Sequence, residues 1–314
     1  MCGIAGYWSF NNYADAETLQ DMLSAIEHRG PDGLSGFVHK QVAMGTSRLS
    51  IVDLEGGAQP AVNETRDISV VFNGEIYNYA EERNFLIQKG YVFSTNSEVE
   101  TLLALYIEFG TDFVLRLNGQ FAIAIWDGRS ETFHLFRDRL GIRPLFFHYS
   151  NSCFIFASEI KAIFKHRGVS PRINPNSIAQ TFRFWTNIND TSSFEGVQQL
   201  PPGHHAILKE KKITIESYWS WPFPCEQNSL ILGSDEEYFE AFSDELGATV
   251  ARRKMADVPI ASYLSGGIDS SVLALILMEQ MDGKRLHTYS ITFSDPEFDE
   301  SSAQKKVVEH LGVV

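Results

Sequence analysis

Residues 121–126, Phe-Ala-Ile-Ala-Ile-Trp, form an apolar run that the chain has to cover on two sides. A strand directs successive side chains to opposite faces of its sheet, so this run presents apolar groups to both faces. Further short apolar segments follow, separated by turn signals, at residues 132–136, 144–149 and 153–157. From residue 121 to residue 157 the pattern is typical of strands only, and a short helix is predicted at 159–164. This pattern predicts an α+β domain in which sheets pack face to face with helices outside.

A different pattern begins at residue 259. Pro259–Leu264 predicts a buried strand, Ser-Gly-Gly-Ile-Asp-Ser-Ser at 265–271 follows at once, and 272–281 predicts an apolar helix. This order places backbone N–H groups and a helix N-terminus around a phosphate, although the spacing is neither that of a Walker loop nor that of a dinucleotide site. With a strand at 286–293 and a helix at 300–311 it predicts the start of a parallel α/β sheet. Two such strands cannot close a core, so we expect this domain to be incomplete.

The Pro-bearing stretch 221–234 predicts a linker between two domains, at residues 1–220 and 234–314. After it, Ser234-x-x-Glu237 matches a capping box that opens a helix to about Met255. The apolar spacing of that helix predicts that four residues face inward: Phe239, Phe242, Leu246 and Val250.

Composition narrows the classes of protein. The 314 residues are 44% hydrophobic and 21% charged, as in soluble globular chains. A net charge of −14 disfavours a general nucleic-acid binder. Cys2, Cys153 and Cys225 are far apart, which indicates neither a disulfide framework nor a metal site, so we expect a reducing, cytoplasmic compartment. We expect no signal peptide and no membrane association, because no run has the required length.

Cys2 follows the initiator Met directly and opens a predicted strand over residues 2–8. Removal of Met1 would leave a thiol and a free amine on one residue. That amine has an ordinary pKa of about 8 and suits an N-terminal nucleophile, because the thiolate is the reactive form. The alternative interpretation is a small apolar residue near the start of the chain.

Arg48 and Asn73-Gly74 each leave two interpretations open. Arg48 lies in a mostly apolar strand predicted over 42–52 and needs an anionic partner, either a substrate carboxylate or a structural ion pair. Asn73-Gly74 follows the apolar strand 68–72 and is the strongest two-residue turn signal. The same pair could also direct hydrogen-bond donors at an oxyanion.

Helices are predicted at 16–28, at 79–88 and after the capping box Ser97-x-x-Glu100. Glu98, in the first turn of the third helix, is predicted near the surface, where it complements the helix dipole. The charged loop around Arg137-Asp138 and Gly141 is predicted to be an ion-pair corner. A last strand is predicted over 209–219.

Eight motifs occur in an order that resembles the glutamine-hydrolysing asparagine synthetases: MCGIAG, HRGPDG, SRLSIVD, NGEIYN, SEVETLLALY, RDRLGIRPLFF, LPPGHH and LSGGIDSS. The resemblance covers nearly the whole chain. It implies an N-terminal αββα sandwich of the N-terminal-nucleophile type, acting as a class II glutaminase. The start of an ATP-pyrophosphatase domain follows it.

The resemblance implies that Cys2 attacks the amide of glutamine and releases ammonia, with Asn73 and Gly74 as oxyanion donors. It assigns glutamine binding to Arg48, Ile51, Val52, Asn73, Gly74, Glu75 and Glu98. Two residues depart from the family pattern. Glu98 stands where Asp is usual and is one methylene longer, and Arg143 stands where Lys is usual. We interpret Arg143 as structural.

In the second domain the resemblance implies ATP as a co-substrate, with Mg²⁺, and no dedicated metal ligand in this chain. It assigns ATP binding to Leu264, Ser265, Gly266, Gly267, Asp269, Ser270 and Ile291. Ammonia would then aminate an adenylated carboxylate, converting aspartate to asparagine with release of AMP and pyrophosphate. A homodimer is one assembly that the resemblance allows.

Three alternative functions are considered: the first stays open and the other two are disfavoured. The same chemistry could act on another carboxylate, such as a uronic acid in surface-polysaccharide assembly, and the residues here barely discriminate. A phosphoribosyl or hexosamine amidotransferase would not need the SGGIDSS loop. A degenerate binding or regulatory module would not need Cys2, Arg48 and Asn73 together. The family's synthetase domain is longer, so we expect this polypeptide by itself to hydrolyse glutamine only.

Overall fold

The computed structural model describes residues 1–188, 190–221, 223, 233–281, 283 and 285–314. The chain divides into two compact units, residues 1–222 and 223–314. Cys225 and most of the linker predicted at 221–234 lie outside the described residues. No described helix combines the length and the apolar composition needed to cross a membrane.

The described residues of the first unit form two antiparallel sheets of six strands each. In chain order the strands are β1 (Gly3–Ser9), β2 (Gly33–His39), β3 (Val42–Arg48), β4 (Ala61–Val62), β5 (Ile68–Ile76), β6 (Gly119–Asp127), β7 (Thr132–Arg137), β8 (Phe146–Tyr149), β9 (Cys153–Ala157), β10 (Val197–Gln199), β11 (His204–Lys209) and β12 (Lys212–Ser217). One sheet has the order β10-β8-β9-β1-β3-β2 and the other β12-β11-β7-β6-β5-β4. The last strand, predicted as 209–219, is β12 of a hairpin with β11.

The helices of this unit are α1 (Ala16–Ser24), α2 (Tyr79–Gln88), α3 (Glu98–Phe109), α4 (Phe113–Arg116), α5 (Ile160–Ile163) and α6 (Pro175–Phe184). The helix predicted at 79–88 is confirmed. The one predicted at 16–28 ends at Ser24, and a 3₁₀ turn at Glu27–Arg29 follows it. The short helix predicted at 159–164 is confirmed as α5. The sequence pattern did not predict α6, which begins at the Asn174 cap with Pro175 in its first position.

The two sheets face each other across an apolar layer, and helices cover their outer faces. Along β6, Ala122 and Ala124 point into the layer between the sheets, whereas Ile123 and Ile125 pack with α3. Helices α1 and α5 cover the other sheet. The two-sided burial predicted for residues 121–126 and the αββα sandwich are therefore confirmed.

Asn73 and Gly74 lie inside β5, so the turn predicted there is wrong. They pair with Ala122 and Phe121 of β6, and the pairing continues to Ile76. An Asn-Gly hairpin forms only when the segments on either side pair with each other, and here both continue along β6. A Cβ on Gly74 would lie 2.0 Å from the carbonyl oxygen of Gln120, so the neighbouring backbone excludes any side chain.

The loop after β7 is held by side-chain-to-backbone hydrogen bonds, so the predicted ion-pair corner is wrong. The Arg137 guanidinium donates to the carbonyl oxygens of Arg143 at 2.9 Å, Leu200 at 2.7 Å and Gly141 at 2.7 Å. The Asp138 carboxylate accepts from the main-chain N–H groups of Phe121, Leu140, Ile142 and Arg143. This arrangement fixes the loop against the end of β6.

The second unit contains α7 (Asp235–Arg252), β13 (Ala261–Tyr263), α8 (Ile268–Glu279), β14 (His287–Tyr289) and α9 (Ser301–Leu311). The Ser234 capping box is present. Strands β13 and β14 pair in parallel, with Ala261 opposite His287, which confirms the predicted start of an α/β sheet.

Two burial predictions for this unit are wrong. Tyr263, in the strand predicted to be buried, is 77% exposed, and Phe239 and Phe242, predicted to face inward, are 71% and 67% exposed. The apolar cluster of the unit contains Val250 but does not extend to the first half of α7. In the described residues the sheet has two strands, which is too small an area to cover these groups.

Candidate active site

A pocket lies where the start of β1 meets the far end of β5, at one edge of the sandwich. Its empty volume, counted out to the open mouth, is about 510 Å³. It is lined by Met1, Cys2, Arg48, Leu49, Ile51, Val52, Gly57, Gln59, Phe72, Asn73, Gly74, Glu75, Ser97, Glu98, Val99 and Arg143. Every residue that the sequence assigned to glutamine chemistry lines this one pocket. Their individual roles stay predictions.

Cys2 precedes β1, the fourth of the six strands in its sheet. The Leu49 N–H donates to Cys2 Sγ at 3.4 Å, and the thiol lies 3.5 Å from the Leu49 carbonyl oxygen. Arg29 Nε donates to the Cys2 carbonyl oxygen at 3.0 Å. Burial raises the pKa of the Cys2 thiol, and the Leu49 hydrogen bond opposes that effect. The thiol therefore needs a base to become the reactive thiolate.

Asn73 is buried at 1% exposure, yet its side-chain amide has no hydrogen-bond partner among the described residues. Buried amides in folded proteins almost always have partners. An amide that lacks them, on a pocket wall beside a cysteine, is available to a ligand.

Arg48 ends β3, and its guanidinium donates to the carbonyl oxygens of Asp53 at 2.6 Å and Leu54 at 3.1 Å. Among residues 1–188 it forms no ion pair, so the structural ion pair left open for it is not observed. The Asp53 carboxylate accepts from the N–H groups of Gly56 at 2.9 Å and Asn96 at 2.8 Å. This carboxylate links the loop after Arg48 to the turn that precedes α3.

Ile51 and Val52 lie on that same loop and are half-buried. Neither belongs to a helix or a strand. Their main chain borders the pocket beside Arg48.

Glu98 is buried at 8% exposure, so its predicted surface position is wrong. The first turn of α3 abuts the end of β5, where the Ile76 N–H donates to Glu98 Oε1 at 2.6 Å. Burial, and after it the neighbouring Glu75, raise the pKa of Glu98 well above its usual range. Burial raises the pKa of Glu75 to about 7, opposed by Arg143 and the N-terminal amine. Two acidic side chains thus share one buried wall.

Arg143, interpreted from the sequence as structural, lines this pocket at 7% exposure. Its Nη1 contacts the Met1 thioether, and its Nε has no partner among the described residues. No local sequence signal indicates that it reaches the pocket, because that depends on where the loop after β7 ends. Sequence reasoning likewise missed Leu49, Gln59 and Ser97 in the pocket wall, since their contribution depends on backbone position.

In the second unit, residues 265–267 form the turn that precedes α8, and residues 268–271 are the first residues of that helix. Gly266 has φ +85°, and a Cβ there would lie 2.8 Å from the backbone nitrogen of Gln304. Ser265 Oγ and Ser270 Oγ lie 2.9 Å apart. Asp269 is in the first turn of the helix. Exposed hydroxyls and N–H groups at a helix N-terminus fit a phosphate.

The two apolar residues assigned to ATP binding differ in their solvent exposure. Leu264 precedes the turn and is buried at 1% exposure, whereas Ile291, after β14, is 65% exposed. The Ile291 carbonyl oxygen accepts from Gln304 Nε2 at 3.1 Å. Within the described ranges, no three His, Cys, Asp or Glu side chains converge as metal ligands would.

Comparison with known proteins shows which family profiles and which relatives this chain matches. A family profile described as a glutamine amidotransferase domain matches residues 1–219, and one described as asparagine synthase matches residues 241–314. Asparagine synthetase [glutamine-hydrolyzing] 3 of Bacillus subtilis is 32% identical over 97% of this chain and 50% of its own length. Amidase chry2 of Gibberella zeae is 32% identical over 100% of this chain and 50% of its own. The chain thus spans about half the length of these relatives.

The fold has a counterpart among solved structures. A glutamine phosphoribosylpyrophosphate amidotransferase from B. subtilis aligns with a TM-score of 0.52 and 18% identity, over 93% of this chain and 67% of that one. At that identity the likeness concerns the fold, and it agrees with the sandwich described above. With both profiles matched in order along it, this chain belongs to the glutamine amidotransferase family, among the relatives of the glutamine-hydrolysing asparagine synthetases.

Proposed function

We propose that the first unit hydrolyses glutamine to glutamate and ammonia, with Cys2 as the nucleophile. The observation that carries the proposal is the pocket that Cys2 shares with Arg48 and the unpartnered amide of Asn73. Removal of Met1 turns the Cys2 nitrogen from an amide into an amine. That amine is the nearest available base for the buried thiol.

In the proposed reaction the thiol proton moves to this amine, and Sγ attacks the side-chain amide carbon of glutamine. Asn73 Nδ2 and the Gly74 N–H donate to the oxyanion that forms. The carbon–nitrogen bond then breaks, ammonia leaves with the proton held by the amine, and a thioester is left. Water hydrolyses the thioester, which releases glutamate and restores the thiol.

The same pocket offers groups for the α-carbon end of glutamine. Arg48 uses some of its five donors on backbone carbonyl oxygens, and the rest are proposed to bind the α-carboxylate beside the main chain of Ile51 and Val52. Glu75 and Glu98 are proposed to line the site of the α-ammonium group, with one of them as its counter-ion. The extra methylene of Glu98 is compensated by the hydrogen bond that holds Oε1 on Ile76.

The ammonia is proposed to serve an ATP-activated carboxylate, with residues 1–220 as the glutaminase domain and 234–314 as part of the synthetase domain. The segment 265–271 has hydroxyls, glycines and a helix N-terminus that suit an ATP phosphate group, and Leu264 and Ile291 are proposed to contact the nucleoside. Mg²⁺ would screen the phosphate charges of bound ATP. The involvement of Mg²⁺ is proposed from the family resemblance.

Aspartate is the proposed acceptor, because curated relatives are named asparagine synthetases. The alternative acceptor, a uronic acid, is not favoured by the names of these relatives. We propose that this chain by itself acts as a glutaminase, in the cytoplasm, where a free thiol stays reduced. A homodimer is the assembly we would test first.

Steady-state glutamine hydrolysis by the full chain tests the proposal. Cys2→Ala is expected to abolish ammonia release, and Cys153→Ala, which changes a buried core cysteine far along the chain, is expected to retain it. No hydrolysis by the Met-processed wild-type chain, with glutamine binding intact, would leave a binding module as the better description.

A further inference from the structure

The glutamine pocket contains two carboxylates that face a shared space. Glu98 is held by the Ile76 N–H through Oε1, and Glu75 Oε2 is buried without a partner among the described residues. Two carboxylates in one buried site repel each other and cannot both ionise without a cation. The pocket therefore needs a compensating positive charge before it can present either of them to a substrate.

Arg48 does not supply that charge to the pair. Its guanidinium is engaged with the Asp53 and Leu54 carbonyl oxygens. Arg29, close to Cys2, is paired with Glu159 at 3.0 Å. Arg29 Nη2 has no partner among the described residues, but the positive charges that act on the pair are Arg143 and, for Glu75, the N-terminal amine.

Arg143 is placed differently. It is buried in the pocket wall with Nε unpartnered. Its main chain is clamped on both sides, because its N–H donates to Asp138 at 2.9 Å and its carbonyl oxygen accepts from Arg137 at 2.9 Å. The backbone from which the guanidinium extends is therefore fixed beside the pocket. The Coulomb interaction with Arg143 lowers the pKa of both Glu75 and Glu98.

We propose that Arg143 is a positioning residue of the glutamine site: its guanidinium balances one of the two carboxylates and leaves the other for the α-ammonium group of the substrate. This proposal rests on the proposed function. The filled pocket is then neutral, with two carboxylates opposite Arg143 and the substrate ammonium, and the substrate carboxylate opposite Arg48. A ligand without an α-ammonium group leaves one carboxylate uncompensated, so the pocket selects for a free amino acid.

Other charged or titratable groups act on this pair, on Arg143 or on Cys2 beside them, and they set the background for any pH dependence: the N-terminal amine, Cys2, Arg29, Arg48, Tyr77 and Asp138. Of these, Cys2 and the amine change with Met1 processing. Tests are therefore made on the Met-processed full chain.

The first test compares Arg143→Met with Arg143→Lys in the full chain, by the pH dependence of kcat/KM for glutamine. Arg143→Met is expected to move the acid limb upward by about one pH unit and to raise KM roughly tenfold, with a smaller change in kcat. Arg143→Lys, which keeps the charge, is expected to restore the limb. An unmoved limb in Arg143→Met, or equal shifts in both variants, would overturn the proposal.

A second test needs no change at Arg143. Calorimetric titration of the Cys2→Ala chain with glutamine at pH 7, in buffers of different ionisation enthalpy, is expected to show net proton release as the carboxylate that Arg143 does not balance ionises. Glu75→Gln in the same background is expected to reduce that release. Glutamine binding without proton release would contradict the role of Arg143 while leaving the proposed glutaminase intact, whereas absence of binding would count against the proposed function itself.

Discussion

The main-chain N–H of Leu49 donates to the Sγ of Cys2 at a distance of 3.4 Å. Leu49 begins the loop after β3, and Cys2 precedes β1, so the pairing of β1 with β3 brings them together. An N–H directed at sulfur favours the thiolate, while burial favours the thiol. The nucleophile is thus partly prepared by backbone geometry and depends on a base for the rest.

The unpartnered amide of Asn73 predicts a loss of catalytic rate when it is removed. Asn73→Ala should lower kcat for glutamine hydrolysis about 10²–10³-fold, because it removes one oxyanion donor, with a smaller effect on KM. Initial rates over a range of glutamine concentrations measure both. The exposed Asn12 is a matched control, and Asn12→Ala should leave the rate unchanged. Equal rates for the two variants would exclude Asn73 from transition-state stabilisation.

Gly74 makes a prediction about stability. Gly74→Ala places a Cβ 2.0 Å from the Gln120 carbonyl oxygen, so β5 and β6 must separate. The free energy of unfolding should fall by about 1–3 kcal/mol. Gly33→Ala, in a strand where nothing lies within 4 Å of the added Cβ, should change it far less. Denaturant titration of both variants measures the difference, and a Gly74→Ala chain as stable as Gly33→Ala would refute the close approach.

The buried pair His134 and His205 predicts acid sensitivity. Their ring nitrogens lie 2.9 Å apart, and burial lowers the pKa of His134 to about 4 and that of His205 to about 3. The unfolded chain binds protons on both rings below about pH 6.5, while the folded one does not. Stability should therefore decrease as pH falls from about 6.5 towards 4.

Denaturation midpoints at pH 7 and pH 5 measure this effect. The double variant His134→Phe, His205→Leu should lose much of the decrease between the two values. Were the double variant as acid-sensitive as the wild type, the origin of the effect would lie elsewhere.

Glu98 predicts the opposite pH dependence. Its raised pKa means that the buried carboxyl favours the neutral form, so its contribution to stability is lost as pH rises through that pKa. Glu98→Gln keeps an oxygen for the Ile76 N–H and needs no proton. At pH 8 it should stabilise the chain by about 1–2 kcal/mol while weakening glutamine binding. Thermal unfolding at pH 5 and pH 8 measures the first effect and KM the second; a variant less stable than wild type at pH 8 would argue against a buried neutral carboxyl.

Local patterns predicted the layered fold well. The two-sided run at 121–126 and the Ser97 cap of α3 depend on nearby residues and on alternation, which the sequence displays directly. The turn at Asn73-Gly74 was wrong because pairing with β6, about fifty residues away in sequence, outweighs the local turn preference. Glu98 was misplaced for a similar reason, since its burial depends on where α3 meets β5.

The site itself was predicted through motif resemblance rather than through spacing. Cys2, Arg48, Asn73 and Glu98 lie on separate elements, and no periodicity shows that those elements meet. Arg143 shows what motif resemblance does not predict. Its motif is recognisable in the sequence, but its position in the pocket wall depends on the loop that Arg137 and Asp138 hold in place.

Reaction of the full chain with an electrophilic glutamine analogue, mapped by intact-mass and peptide mass spectrometry, tests the central claim most directly. We predict one adduct, on a Cys2 that has become the N-terminal residue, and protection of that residue by excess glutamine. Labelling of Cys153 or Cys225 instead, or no labelling of a Met-processed chain, would contradict the assignment of Cys2 as the glutaminase nucleophile.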